Sequence, residues 1–223
     1  MTFERPVEGL TIAQPRRGFR YGSEAFWLVG FALEAGWPDT ALDLGTGSGV
    51  MACLLARQGI PSVGVELRSE WSTCWDLSLS KSEPLTKLQL VQGDVASFET
   101  DRLVGLVVSN PPFFAKGTGP VSPDAWKAAA RTESCSRLAD FIDCAVRSIH
   151  SSGRACFVVP RERAPEVVHP AAFVSRYVRV GSRRALIELR PGAGADAAMQ
   201  QVTESSRRVS EWYDRALGSD GCG

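Results

Sequence analysis

The chain is short of the residues that metal chemistry and polyanion binding usually draw on. Its 223 residues include two histidines, His150 and His169, and four lysines, Lys81, Lys87, Lys116 and Lys127. The six cysteines are scattered, with no CxxC pair and no histidine at ligand spacing beside them. A zinc centre needs three or four such ligands close together, so no metal site is expected. No apolar run reaches the roughly 18 residues that a membrane-spanning helix requires. The opening MTFERPVEGL lacks the basic-then-apolar profile of a signal peptide. Formal net charge is zero, so bulk charge announces no nucleic-acid or membrane partner. We therefore expect a cytoplasmic protein with reduced, buried thiols, no membrane partner and no metal, present as a monomer or weak dimer.

Apolar material is ample. At 44% hydrophobic residues, the chain can bury the core of one domain with modest appendages. Between residues 40 and 160, short apolar runs alternate with helix-like segments. Strands are predicted at 40–44, 61–67, 88–94, 102–109 and 153–160, and helices at 49–59, 68–81 and 136–150, the last capped by Ser136. Such alternation implies βαβ units and a parallel sheet covered by helices on both faces. A terminal strand pair is expected over 176–191, turning near Gly181-Ser182, and a short helix over 205–217. There are no internal repeats.

The first strand runs through Asp43-Leu44 into Gly45-Thr46-Gly47-Ser48-Gly49 and then into a helix. Glycines there let a ligand approach the backbone, and the helix start offers free N–H groups. A strand, a glycine-rich turn and a helix also open dinucleotide-binding folds, but with GxGxxG spacing rather than this GxGxG. Two more acids end the next two strands. Glu66 stands where it can take the two hydroxyls of a ribose, and Asp94 where it can face an adenine amino group. Ligands of open α/β sheets lie at these carboxyl ends. Taken singly, each acid could equally cap a helix or sit in a loop. The apolar strand at 102–109 then stops abruptly at Asn110-Pro111-Pro112-Phe113.

In this order, DLGTGSG, the acid of VGVEL, QGD and NPPF resemble the class I S-adenosylmethionine-dependent methyltransferases, over residues 14–191. The resemblance implies a Rossmann-like α/β fold, with a mostly parallel seven-stranded sheet, a C-terminal antiparallel strand and helices on both faces. It divides the chain into a cofactor-covering segment (1–39), a catalytic domain (40–191) and a tail with a short helix (192–223). The implied cofactor is S-adenosyl-L-methionine. Asp43 and Gly45 would lie near its amino-acid part, with Thr46, Gly47 and Gly49 in the same loop. Glu66 and Leu67 would lie at the ribose, Asp94 and Val95 at the adenine, and Asn110 beside the reacting methyl.

Methyl transfer is an in-line displacement, so catalysis is largely positioning and electrostatics. An exocyclic amine is a poor nucleophile because its lone pair is delocalised. Two acceptors aimed at its N–H groups hold it: the Asn110 side-chain oxygen and the Pro111 carbonyl, the latter fixed by the proline that follows. Phe113 can stack on the planar group. Asn110, Pro111, Pro112 and Phe113 are thus the expected catalytic set. They specify a planar amino nitrogen without choosing among adenine N6, guanine N2 and glutamine N5.

More of the chain resembles the bacterial tRNA1(Val) adenine-37 N6-methyltransferases: Gln14 and the Gly18-Phe19-Arg20-Tyr21 segment, SNPPFF, the Arg131/Glu133 pair and GRACFVVPRER. Glu24 departs from that pattern, which has Asp there. By this resemblance Arg20 and Tyr21 line the cofactor pocket, and structured RNA, in the first place tRNA, is the partner. Other readings are a glutamine N5-methyltransferase of release factors, an rRNA guanine N2-methyltransferase, or an inactive cofactor- or RNA-binding module. Residues 176–215 hold eight arginines against five acids, and Arg5, Arg16, Arg17 and Arg20 stand near the start. That bias is compatible with a local RNA face and equally with an ordinary solvated surface.

Overall fold

A computed structural model describes residues 1–17, 20–112 and 137–218. A hairpin opens the chain, β1 (Thr2–Val7) against β2 (Leu10–Gln14). Then follow α1 (Ser23–Glu34), β3 (Ala41–Leu44), α2 (Val50–Arg57) and β4 (Ser62–Glu66). A 3-10 turn at Ser69–Trp71 leads into α3 (Ser72–Lys81), β5 (Leu88–Gln92) and β6 (Val104–Ser109). The remainder comprises α4 (Leu138–Ser148), β7 (Ile149–Pro160), a 3-10 turn at Arg161–Glu166, β8 (Ala172–Val180), β9 (Arg184–Pro191), β10 (Gln200–Val202) and α5 (Arg207–Leu217).

The main sheet runs β10-β8-β9-β7-β6-β3-β4-β5. Only β9 is antiparallel to its neighbours, as the resemblance implied. Among the described residues this sheet has eight strands where seven were expected. The extra one is the three-residue β10, parallel to β8 at the sheet edge. Side chains alternate between two apolar layers, as in a sheet covered on both faces. On β7, Cys156 and Val158 join the layer under α1, α2 and α5, while Ala155, Phe157 and Val159 join the layer under α4.

Several boundaries shift. The helix expected over 136–150 stops at Ser148, because Ile149 is already extended and pairs with Val104. Its N-cap is Arg137, whose backbone N–H donates to Asp140 Oδ2 at 2.6 Å; Ser136 lies outside the described residues. No element was assigned in residues 1–39, which hold the hairpin and α1. In α1 the stretch from Ala25 to Leu33 is buried continuously. A helix covered on every side carries no apolar stripe, so its sequence shows no helical periodicity.

The two ends of the chain meet. Trp212 of α5 is fully buried, edge-on to Phe31 of α1 with ring centroids 5.5 Å apart. Gly30 allows this approach: a Cβ there would lie 1.9 Å from the Trp212 carbonyl oxygen. Cys53, Cys74, Cys144 and Cys156 are buried free thiols, while Cys135 and Cys222 lie outside the described residues. Among the described residues no helix is long and apolar enough to cross a membrane, and no cluster of ligands could hold a metal ion.

Candidate active site

The candidate site occupies the carboxyl ends of β5, β4, β3 and β6, four adjacent parallel strands. At the end of β3 the chain turns through Gly45, Gly47 and Gly49, with φ of 70°, 54° and 82°. L-residues with a side chain rarely adopt such values, which explains glycine at all three positions. Gly45 is constrained twice, since a Cβ there would meet the Phe141 ring at 2.9 Å. The loop folds over β4, with the Gly45 and Thr46 N–H groups donating to the Val65 carbonyl at 2.8 and 2.9 Å.

Asp43 is 1% exposed. Its Oδ2 accepts from the Thr46 hydroxyl at 2.6 Å and the Ala52 N–H at 3.2 Å. Oδ1 is buried and has no partner among the described residues. Burial pushes this carboxyl up to about 7, and the Glu66 charge adds to the effect. Glu66 spans the same loop: Oε2 accepts from the Gly47 N–H at 3.0 Å and Oε1 from the Arg68 N–H at 3.1 Å. Burial raises its carboxyl too, against the pull of those two N–H groups and Arg68. Each oxygen keeps lone-pair capacity for a further donor.

On the next strand Asp94 is half-buried and its Oδ1 accepts from the Ala96 N–H at 3.0 Å, closing a turn that leaves Val95 buried. Leu67 is half-buried, its carbonyl taking the Gln92 side-chain amide at 3.3 Å. Gly93 N–H donates to the Glu66 carbonyl at 2.9 Å, tying these two strand ends together.

Asn110 follows Ser109, which pairs with Leu44 in the ladder and donates its hydroxyl to the Leu44 carbonyl at 2.8 Å. Asn110 thus stands beside Gly45. Its side-chain Oδ1 is buried without a partner among the described residues. Pro111 is buried and Pro112 half-buried; Phe113, with Arg131 and Glu133, lies outside the described residues.

Two contributors, Trp75 and Arg163, escaped the sequence reading, and a third, Thr46, has a role beyond the one expected. Thr46 was placed in the loop, but its hydroxyl bond to Asp43 was not anticipated. Trp75 of α3 donates its indole N–H to the Gly47 carbonyl at 2.8 Å, where the sequence showed only a helical tryptophan. Arg163 follows β7 and donates from Nη1 to the Pro112 carbonyl at 3.4 Å. Glu166 grips the same guanidinium at 2.7 and 3.0 Å.

Arg20 and Tyr21 stand elsewhere. Arg20 pairs with Glu4 of the hairpin. Tyr21 donates its backbone N–H to Gln14 at 3.0 Å and meets Phe26 edge-on at 5.9 Å. None of these contacts reaches the glycine loop. The arginine excess of 176–215 is also largely committed. Arg184 pairs with Glu24 at 3.0 Å, Arg176 with Glu34 at 2.9 Å and Arg190 with Glu188 at 2.9 Å.

A glycine turn after the first strand of this sheet, three acids on successive strand ends and a single antiparallel strand near the far edge define a class I methyltransferase fold. The chain belongs to the methyltransferase small domain family, whose profile matches residues 28–168. It is an S-adenosyl-L-methionine-dependent methyltransferase. It is 27% identical to the tRNA1(Val) (adenine(37)-N6)-methyltransferase of Porphyromonas gingivalis, over 90% of this chain and 77% of that one. Among solved structures it resembles a predicted O-methyltransferase from Agrobacterium tumefaciens, with a TM-score of 0.62, 15% identity and coverage of 86% and 96%. It also resembles a glycopeptide N-methyltransferase complexed with S-adenosyl-L-homocysteine, with a TM-score of 0.56, 12% identity and coverage of 80% and 89%.

Proposed function

We propose that the protein methylates an exocyclic amino nitrogen, adenine N6 in tRNA, at the site formed by the glycine loop and Asn110. One observation carries this reading: a buried side-chain acceptor, Asn110 Oδ1, has no partner among the described residues and follows Ser109, the ladder partner of the Leu44 that precedes Gly45. A buried acceptor left unsatisfied costs about 1–3 kcal/mol, so it belongs where a ligand supplies the missing donor.

The residues of the loop suit the cofactor. It is cationic and carries donors at its amino-acid, ribose and adenine parts. Asp43 Oδ1, without a partner among the described residues, can accept from the first; Glu66 keeps lone-pair capacity for the ribose hydroxyls, and Asp94 with Val95 stands at the strand end for the adenine. A cation arriving at Asp43 and Glu66 would offset the burial that raises both carboxyls. When bound, the cofactor supplies an electrophilic methyl group on sulfur.

Everything else is positioning by this chain. Asn110 Oδ1 and the Pro111 carbonyl accept the two N–H groups of the target amine and aim its lone pair at the methyl carbon. The buried Pro111 makes the turn stiff, and Arg163 holds it through the Pro112 carbonyl. Adenine in tRNA is favoured over guanine or glutamine by the name of the P. gingivalis relative, over most of both chains.

The test is incubation with labelled S-adenosylmethionine and, separately, total tRNA, ribosomal RNA and a release factor, with identification of the methylated product. N6-methyladenosine in tRNA is the expected outcome; methylguanosine or methylglutamine would move the reading to those acceptors. In the same assay Asn110→Ala should lower single-turnover rates by about 100-fold, while melting temperature and cofactor affinity persist. Near-normal rates for that variant would remove Asn110 from the chemistry.

A further inference from the structure

Arg5 of the hairpin and the last helix meet at one cleft. The hairpin, the start of α1 and α5 enclose about 300 Å³, lined by Glu4, Arg5, Tyr21, Phe26 and Tyr213 among others. No residue of the glycine loop lines it, nor do Glu66, Asp94 or Asn110. It is a surface distinct from the methyl-transfer site.

Its chemistry is aromatic and cationic. Phe26 is buried and forms a fixed wall, with Tyr21 edge-on at 5.9 Å on one side and Tyr213 tilted by 31° at 4.6 Å on the other. Tyr213 is 37% exposed, on a helix that Trp212 anchors in the core, so it shows ring surface to solvent on a rigid support. The one carboxylate of the cleft is already neutralised: Glu4 takes the Arg20 guanidinium and the Tyr21 hydroxyl. Burial and that carboxylate push the Tyr21 phenol up, which keeps it a donor. Arg5 lines the cleft, and Arg16 and Arg17 follow β2. Arg5 has no carboxylate partner among the described residues, in contrast to Arg176, Arg184 and Arg190, while Arg16 donates from Nε to the Met1 carbonyl at 3.3 Å.

An exposed ring on a rigid support, with the Arg5 guanidinium in the same cleft, suits single-stranded nucleic acid, where the ring takes a base and the cation a phosphate. We propose that this cleft holds one unpaired nucleotide of the RNA substrate, its base on Tyr213 and its phosphate on Arg5. This contact presupposes the RNA reading above and lies apart from the reacting base. It would fix how the substrate is presented to Asn110.

Two measurements test it. The first compares tRNA affinity, tRNA KM and cofactor affinity for wild type, Tyr213→Phe and Tyr213→Leu. Leucine keeps an apolar contact with Phe26 but removes the ring. Tyr213→Leu should weaken tRNA binding and raise KM about tenfold, the loss expected of one base stack, with cofactor affinity and melting temperature retained. Tyr213→Phe should restore binding. The second irradiates the full-length protein with a single-stranded oligoribonucleotide containing 4-thiouridine, and maps the adduct, expected on α5 at Tyr213. Wild-type tRNA affinity for a folded Tyr213→Leu, or equal losses in Leu and Phe, would overturn the cleft; so would an adduct that avoids α5. A protein that methylates no tRNA yet gives the Tyr213 adduct would sink the tRNA reading and keep the cleft. Normal tRNA methylation without the adduct would do the reverse.

Discussion

Two places among the described residues bury carboxylates, and they are built in opposite ways. Glu188, on β9, is 1% exposed and surrounded by cations. Arg176 reaches its Oε2 at 2.6 and 3.0 Å, and Oε1 takes Arg190 at 2.9 Å and the Ser175 hydroxyl at 2.7 Å. Burial alone would raise its carboxyl, but Arg176 and these hydrogen bonds leave it below its ordinary value. The same arginine crosses to α1, donating to the Phe31 carbonyl at 2.7 Å and stacking on the Phe31 ring at 3.9 Å. Asp43 is as deeply buried and, among the described residues, has no cation and keeps one oxygen unpaired; its carboxyl rises to about 7. A satisfied buried acid fastens α1 to the sheet. An unsatisfied one, next to Glu66 and beside a glycine turn, is what a site prepared for a cationic ligand looks like.

Removing the satisfied acid should have the largest effect. Glu188→Ala strands Arg176 and Arg190 around an empty position and should cost about 3–5 kcal/mol, lowering the melting temperature by roughly 6–20 °C for a chain of this size. Cofactor affinity of the remaining folded protein should be unchanged. Should Glu188→Ala melt like wild type, the contrast between the two acids would collapse.

Next comes Asp43→Asn, which keeps an acceptor for Thr46 and Ala52 but removes the charge. It should weaken cofactor binding at pH 8 by about 10- to 100-fold, as expected for a lost charged hydrogen bond of 1.5–3 kcal/mol. The pH dependence sharpens the comparison. Asp43 titrates near 7 when folded against an ordinary 3.8, so the folded state holds that proton more tightly. Its contribution to stability is therefore full below about pH 4 and declines as pH rises to about 7. Glu188 has the opposite sign: its contribution is present above its ordinary 4.5 and is lost as pH falls through the lowered value. Melting curves from pH 4 to 8 should show Asp43→Asn gaining on wild type toward alkaline pH. Cofactor affinity of wild type should rise through about pH 7, and in Asp43→Asn this rise should vanish. A variant with wild-type affinity at every pH would remove Asp43 from the cofactor site.

Arg163→Ala should have the smallest effect of the three. It frees the Pro112 carbonyl without touching the cofactor loop, so turnover at saturating cofactor should fall by roughly tenfold, the effect of slight misplacement at a positioning site. Arg163→Lys should recover only part, because lysine lacks the planar fork that Glu166 grips. Equal losses in cofactor affinity and turnover would place Arg163 in general stability.

The sequence by itself determined the succession of strands along residues 40–191, the glycine turn, the acids on three strand ends and the Asn-Pro-Pro stop. All of these are written locally. Short apolar runs, glycines that tolerate positive φ and a proline-stiffened turn need no distant partner to be recognised. Tertiary structure alone decided what depends on which elements meet. Helix α1 is buried on every side and so carries no stripe to read. Arg184, counted among the expected RNA-binding arginines, is committed to Glu24, 160 positions away. Whether a buried oxygen is paired, as in Glu188, or left open, as in Asp43 and Asn110, is a property of its neighbours in space. A residue's type sets the charges and donors it carries; only packing sets which of them are already spent on the fold and which remain for a ligand.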